Sequence, residues 1–262
     1  MNMYSKFRMF GPGLAAGLFC LSASAADFDR AAIEQLLAKA DKAHPADLRR
    51  KDLTDLDLSG LDFRHADLWG ADLRRSNLSN SNLSGLVLDL TVMSKINLSG
   101  ADLSNTSVFG VHMVGANLSH ANLTGSRFIA NLDRANLSHA NLSHADWGVD
   151  MKNQPMGLMR VSLNNANLSG ANLSGANMNK SLMRMANLSG AKLKNAILFD
   201  ADLSRANFSG ADLTGADLSG AHLKDADFTN STVTGTKFNR IKDKATLRGL
   251  DSSKGIESAV FD

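Results

Sequence analysis

The 262-residue chain holds one cysteine, three prolines and one tyrosine. Cys20 lies in an N-terminal stretch with the marks of an export leader, so the mature chain is expected to carry no thiol. That excludes disulfides, zinc–thiolate centres and cysteine nucleophiles. A surplus of one charge is also missing: 28 Lys and Arg stand against 26 Asp and Glu. Lys6 and Arg8 fall within the leader and no acid precedes Asp27, which leaves the mature chain at 26 against 26. A net charge of zero argues against a strongly basic nucleic-acid binder and against a strongly acidic nucleic-acid mimic. No stretch reaches the ~18 consecutive apolar residues that a membrane span needs. Catalytic signatures are absent too, with no Gly-x-Ser-x-Gly, no His-Glu-x-x-His and no Walker loop.

Apolar residues still make up 44% of the chain, enough to bury a core. The leader reads as a basic start, a short apolar run over Leu14–Leu21 and the cleavage pattern Ala23-Ser24-Ala25. Residues 1–25 are therefore expected to be a signal peptide cleaved near Ala25, with the mature protein exported, most simply to a bacterial periplasm. Over residues 26–45, Ile33, Leu36, Leu37 and Ala40 form one apolar stripe at helical spacing. Asp27 or Asp29 can cap this helix and His44-Pro45 ends it.

From Leu48 the period becomes five. Apolar residues recur at Leu48, Leu53, Leu58, Phe63 and onward to Phe128 without a miss. One step of four leads to Leu132, then Leu137, Leu142 and Trp147. After a gap of eleven the spacing resumes at Leu158 and runs to Phe238. Neither an α-helix nor an isolated strand has this period. Two places before each centre sits a small residue such as Ala71 or Ala166, then Asp or Asn; Ser or Thr follows the centre, often with Gly. Asn, Asp, Ser and Gly all favour turns. A chain that turns every five residues and buries one large and one small side chain can coil into a narrow tube, its coils bonded about 4.8 Å apart.

Units such as Ala171-Asn172-Leu173-Ser174-Gly175 resemble the pentapeptide-repeat family, A-(D/N)-L-x-x, over Ala46 to about Phe238. The resemblance implies an all-β fold, a right-handed quadrilateral β-helix with four repeats per coil. Residues twenty apart would then stack in columns, in a rod on the order of 45 Å long. The expected organisation is a capping helix over 26–45, a solenoid over 46–240 with an insertion near 148–157, and a C-terminal cap or tail over 241–262. After Phe238 the period is read as lost.

Two departures mark candidate contacts. The insertion, with Met151, Lys152, Asn153 and Gln154, is expected to loop out; in quinolone-resistance members of the family such loops serve topoisomerase binding, while a tolerated surface insertion is the plainer reading. The other departure is apolar residues at outward positions: Trp69, Phe109 and Ile129 in one column, with Val87, Val92 and Val114 on the same or the next face. Such a patch suggests a partner surface or a self-contact. Leu182, Ile197 and Phe199 form a smaller group in the C-terminal half.

His120, His139 and His144 fall near one another without a carboxylate column, so no metal is expected, and no cofactor. Asn-Leu-Ser triplets match the glycosylation sequon as a by-product of the repeat. The carboxylates of Asp47–Asp72 and Asp202–Asp227 read as a solvated, turn-stabilising face. Two functions remain: a non-enzymatic exported scaffold that binds a protein, with a homodimer left open, and a DNA-mimicking topoisomerase protector, which export and neutrality disfavour. Direct nucleic-acid binding is not expected.

Overall fold

A five-residue unit with Asp or Asn before its centre closes because its five amide N–H groups find five different acceptors. The computed structural model describes residues 28–149, 159–242 and 244–262. In the unit Ala71–Arg75, the Ala71 amide donates to Leu68 O across a tight turn (2.9 Å) and the Asp72 amide to Lys51 O in the preceding coil (2.9 Å). The Leu73 and Arg75 amides donate to Val92 O (2.8 Å) and Ser94 O (3.2 Å) in the following coil. The fifth amide, of Arg74, donates to the unit's own Asp72 carboxylate at 3.1 Å. This explains the demand for Asp or Asn before each centre: without that side chain one amide per unit is stranded. The last residue of the unit takes a left-handed conformation, φ 61° at Arg75, which is why Gly and Asn recur there.

The inter-coil bonds form a parallel ladder at a spacing of twenty residues, as in Asp52↔Asp72, Asp57↔Asn77 and Asp62↔Asn82. Four columns of large apolar side chains therefore run along the solenoid, and one of them holds Leu48, Leu68, Leu88, Val108, Phe128 and Trp147, all buried. Where pairing is widest the ladder reads as strands: β1 (Ala46–Asp47) with β2 (Ala66–Asp67), and β3 (Ser107–His112) with β4 (Arg127–Asn131), all parallel. The protein is thus a β-helix solenoid, with one short α-helix among the described residues.

The step of four has a local cause. Ile129 and Ala130 lack the left-handed residue that turns other corners, so β4 runs extended through the corner. The β3–β4 register slips past Gly110, and the partner spacing contracts to nineteen at Asn117↔Asn136. The insertion then widens it to 31 at Asn131↔Ser162, after which Ser162↔Leu182 restores twenty. Asp146 pairs with Asn177 and Asn131 with Ser162, so Trp147 and Leu163 are successive centres. The described columns thus resume at Leu163; Leu158 lies outside the described residues.

Both ends are covered. Helix α1 (Arg30–Lys39) is capped by Asp29, whose carboxylate accepts from the Ala32 amide at 2.8 Å. It buries Ile33 and rests Phe28, Leu36 and Leu37 on the first coil. Arg30 donates to Asp57 O (3.0 Å) and Ser59 O (3.1 Å). In later coils the equivalent carbonyls, Asn77 O and Ser79 O, accept from the coil before; the first coil has none, and the Arg30 guanidinium takes its place.

At the other end the period does not vanish but lengthens to six. Arg248, Lys254 and Val260 pair with Asp227, Thr232 and Lys237. Thr246, Ser252 and Ser258 offer hydroxyls to the amides of Asp225, Asn230 and Gly235. Short 3-10 turns fill the extra length, and Phe261 closes the column by stacking on Phe238 at 5.0 Å. Gly249 is essential to this fit: a Cβ there would stand 2.6 Å from the Thr229 backbone, whereas at Gly235 nothing lies within 4 Å. Both have positive φ, 66° and 64°. Gly235→Ala should therefore cost only the left-handed penalty of ~1–2 kcal/mol. Gly249→Ala should cost ~1–3 kcal/mol more from overpacking, and denaturant midpoints of the two variants test that order.

Candidate partner-binding face

Trp69, Asp89, Phe109 and Ile129 each follow a column centre in successive coils, but they do not share one environment. Trp69 is half-buried beneath the Arg50 guanidinium, 4.8 Å from the ring centroid. Asp89 comes next. Position 107 is Ser, not Asp or Asn, so the Phe109 amide lacks an acceptor in its own unit and donates instead to the Asp89 carboxylate at 2.9 Å. Burial raises the Asp89 pKa above the ordinary carboxylate value, opposed by that amide bond. Phe109 projects with 38% of its surface exposed.

Ile129 does not belong to the outward face. It is 4% exposed, because β4 runs straight where other units turn out. With Val111, Ala130 and Met159 it lines a depression of about 260 Å³. Val87, in a place usually held by Asp or Asn, is 57% exposed. Val92 and Val114 are half-buried on the next side. Met151, Lys152, Asn153 and Gln154 lie outside the described residues.

Leu90 extends this face from a place that the positions beside the centres do not include. It is 50% exposed, holds φ 61° and leans over Gly110, where a Cβ would lie 3.6 Å from Leu90 Cδ2. A bulky apolar residue in the unit's fifth place, otherwise mostly Gly, Asn, His or a charged residue, is a readable signal. Val87, Leu90 and Phe109 are thus the exposed apolar side chains of this face. Beside it, Pro45, Arg49, Arg50, Asp67, Trp69 and Val87 line a depression of about 670 Å³. In the C-terminal half Ile197 is exposed, Leu182 half-buried, and Phe199 lies 5.0 Å beneath Arg240.

The acids of the first coils are neutralised locally. Arg49 bonds Asp47 (3.2 Å), Arg64 bonds Asp62 (2.6 Å), and Arg74 and Arg75 bond Asp72 and Asp55 (2.5 Å each). These arginine bonds hold the carboxyls of Asp47, Asp55 and Asp62 below the usual range. His120 and His139 stack at 5.1 Å, and the His139 and His144 rings occupy the space left by Gly170 and Gly175. Among the described residues no group of three or more His, Asp or Glu is placed to hold a metal ion. None of the helices described is long and apolar enough to cross a membrane.

The chain matches the family model described as pentapeptide repeats over residues 46–70, 57–94, 96–129, 130–148, 162–200 and 201–240. Among solved structures it is similar to HetL, a pentapeptide repeat protein involved in heterocyst differentiation regulation from the cyanobacterium Nostoc sp. strain PCC 7120. Identity is 30% over 89% of this chain and 97% of that one, with a TM-score of 0.45. Rfr23 from the cyanobacterium Cyanothece 51142 is 27% identical over 50% of this chain and 91% of its own, TM-score 0.39. QnrB1, a plasmid-mediated fluoroquinolone resistance protein, is 19% identical over 80% and 93%, TM-score 0.38. No curated protein sequence matches the chain.

Proposed function

This chain belongs to the pentapeptide-repeat family, and from that premise we propose that it is an exported, non-enzymatic rod whose Val87–Leu90–Phe109 face docks a protein partner. The carrying observation is that three large apolar side chains stand in solvent on a solenoid whose other outward positions are mostly polar. A contiguous apolar patch on a rigid surface marks a contact site. The right-handed, four-sided winding implied by the family resemblance belongs to this reading, as does α1 in the role of cap. Export rests on Lys6, Arg8, Leu14–Leu21 and Ala23-Ser24-Ala25. A DNA-mimicking protector needs an unpaired acidic face, and the arginine-paired carboxylates of the first coils support the scaffold reading over it.

The reading is tested with a photo-crosslinking residue placed at Leu90 or at Ser174 in cells that export the protein. Leu90 should give an adduct of discrete mass and Ser174 none, on protein whose N-terminus begins just after Ala25. Equal adducts from both positions, or none from Leu90, would refute the docking face. Cytosolic protein retaining Met1 would refute export.

A further inference from the structure

One corner of the solenoid changes character along its length. Leu90 and Gly110 stand there in the N-terminal half. Beyond the insertion the same line continues through Arg160, Lys180, Asp200, Gly220 and Arg240. These residues, with Ala221, His222 and Lys242, enclose a depression of about 450 Å³. We propose that this corner binds a phosphate-bearing ligand, held by Arg160, Lys180, Arg240 and Lys242 around the depression.

Charge is the first support. Four permanent cations line the depression against one carboxylate, Asp200, in a mature chain with no net charge. Two further acids lie near and are engaged: Asp202 by Arg184 at 2.5 Å, and Asp262 by the Arg240 backbone amide. None of the four cationic side chains makes an ion pair with a described residue, whereas the neighbouring Arg184 and Arg205 do. A ligand therefore displaces no internal salt bridge.

Shape is the second. Gly220 and Ala221 bring no long side chain of their own; the Asp200 carboxylate leans over Gly220 with the Arg240 guanidinium beside it, and Arg160, Lys180 and Lys242 complete the rim. The Phe199 ring 5.0 Å from the Arg240 guanidinium favours one pose for it, leaving donors for an oxyanion. Lys180 and Arg240 stand three coils apart, about 14 Å along the axis at the strand spacing, and their long side chains can reach into that gap. Donors on opposite walls suit a tetrahedral group with three acceptor oxygens better than a planar carboxylate, which one wall would satisfy. His222 adds a donor at the rim, and Asp200 can accept from a ligand hydroxyl.

The phosphate could belong to a soluble molecule or to a lipid headgroup, and the test separates these sources. Inorganic pyrophosphate is titrated calorimetrically into the mature protein at low salt. Flotation is run with phosphatidylglycerol vesicles and with phosphatidylcholine vesicles. Pyrophosphate should bind, weaken with added salt, and lose about tenfold or more in affinity in Lys180→Asn, Arg240→Asn. Asn tolerates the left-handed backbone that both positions hold, φ 56° and 59°, so the double variant should stay folded. Lys242→Gln, at an exposed site, gives a second folded variant with a smaller loss in the same direction. Arg134→Asn, on another corner, should bind as the parent does. Binding of phosphatidylglycerol vesicles alone, lost in the double variant, would keep the site and assign the phosphate to a lipid. No binding of either probe, undiminished binding by the double variant, or an equal loss in Arg134→Asn would overturn the proposal.

Discussion

Deleting residues 27–42 should turn a soluble rod into an aggregating one. The first coil has no predecessor, so its lower edge presents carbonyls that every later coil uses for bonding, and Arg30 covers two of them, on Asp57 and Ser59. The deletion also uncovers the ends of the apolar columns, among them Leu48 and Leu53, against which Ile33, Leu36 and Leu37 rest. An open, unpaired edge over an apolar centre is a template for adding further chains. Light scattering of the truncated protein at micromolar concentration should therefore show large species. A truncation as soluble and as heat-resistant as the parent would show that α1 covers nothing of consequence.

The largest single-residue effect is expected at Trp147. It is fully buried, stacks on Phe128 with ring centroids 4.7 Å apart, and donates from Nε1 to Ser126 Oγ at 3.0 Å. It is also the last centre before the inserted residues, so its column must bridge a coil of irregular length. Trp147→Ala removes a large volume that neighbouring coils cannot refill, because the ladder fixes their spacing. The expected cost is ~3–5 kcal/mol. Ser174→Ala, on the outer surface where the hydroxyl bonds only Asn172 at 2.7 Å, should stay within ~0.5 kcal/mol. Chemical denaturation of the two variants checks the contrast, and comparable losses would mean that stability does not reside in the columns.

The period of five was legible because it follows from local chemistry: one residue to bury, one small residue at the corner, one side chain for the stranded amide. Nearly every column position could be assigned from that pattern. What escaped depended on neighbours in other coils. Ile129 reads as outward by position, yet the missing residue after it straightens the corner and turns it in. Which column Leu163 joins is set by the partner spacing of 31 across the insertion and not by the arithmetic of fives. The final coil was hidden by its own change of period, although Gly249 and Gly255, six apart like Thr246, Ser252 and Ser258, carried the signal. Leu90 sits in the fifth place of its unit, where the turn and not the side chain sets the residue type, so position alone does not mark it as part of an apolar face.

The ladder of asparagines has a bearing on how charge is distributed along the solenoid. Asn97 donates to Asn77 at 2.8 Å, Asn117 to Asn97 at 3.0 Å, Asn136 to Asn117 at 3.3 Å, and the run passes the insertion through Asn167 to Asn187 and Asn207. For closing a turn Asp and Asn serve alike, since either offers one oxygen to an amide. What distinguishes them is the vertical neighbour: a carboxamide can both give and take, while two carboxylates one coil apart repel across about 4.8 Å. Elsewhere an acid stands beside a different kind of residue, as Asp202 beside His222 and Asp217 beside Lys237. Where acids do face acids, at Asp47 with Asp67 and at Asp52 with Asp72, arginines are supplied alongside. Charge balance in the solenoid is thus a stacking rule written out coil by coil. A relative that turned the same ladder acidic would have to draw in counterions, or a cationic partner, along its whole height.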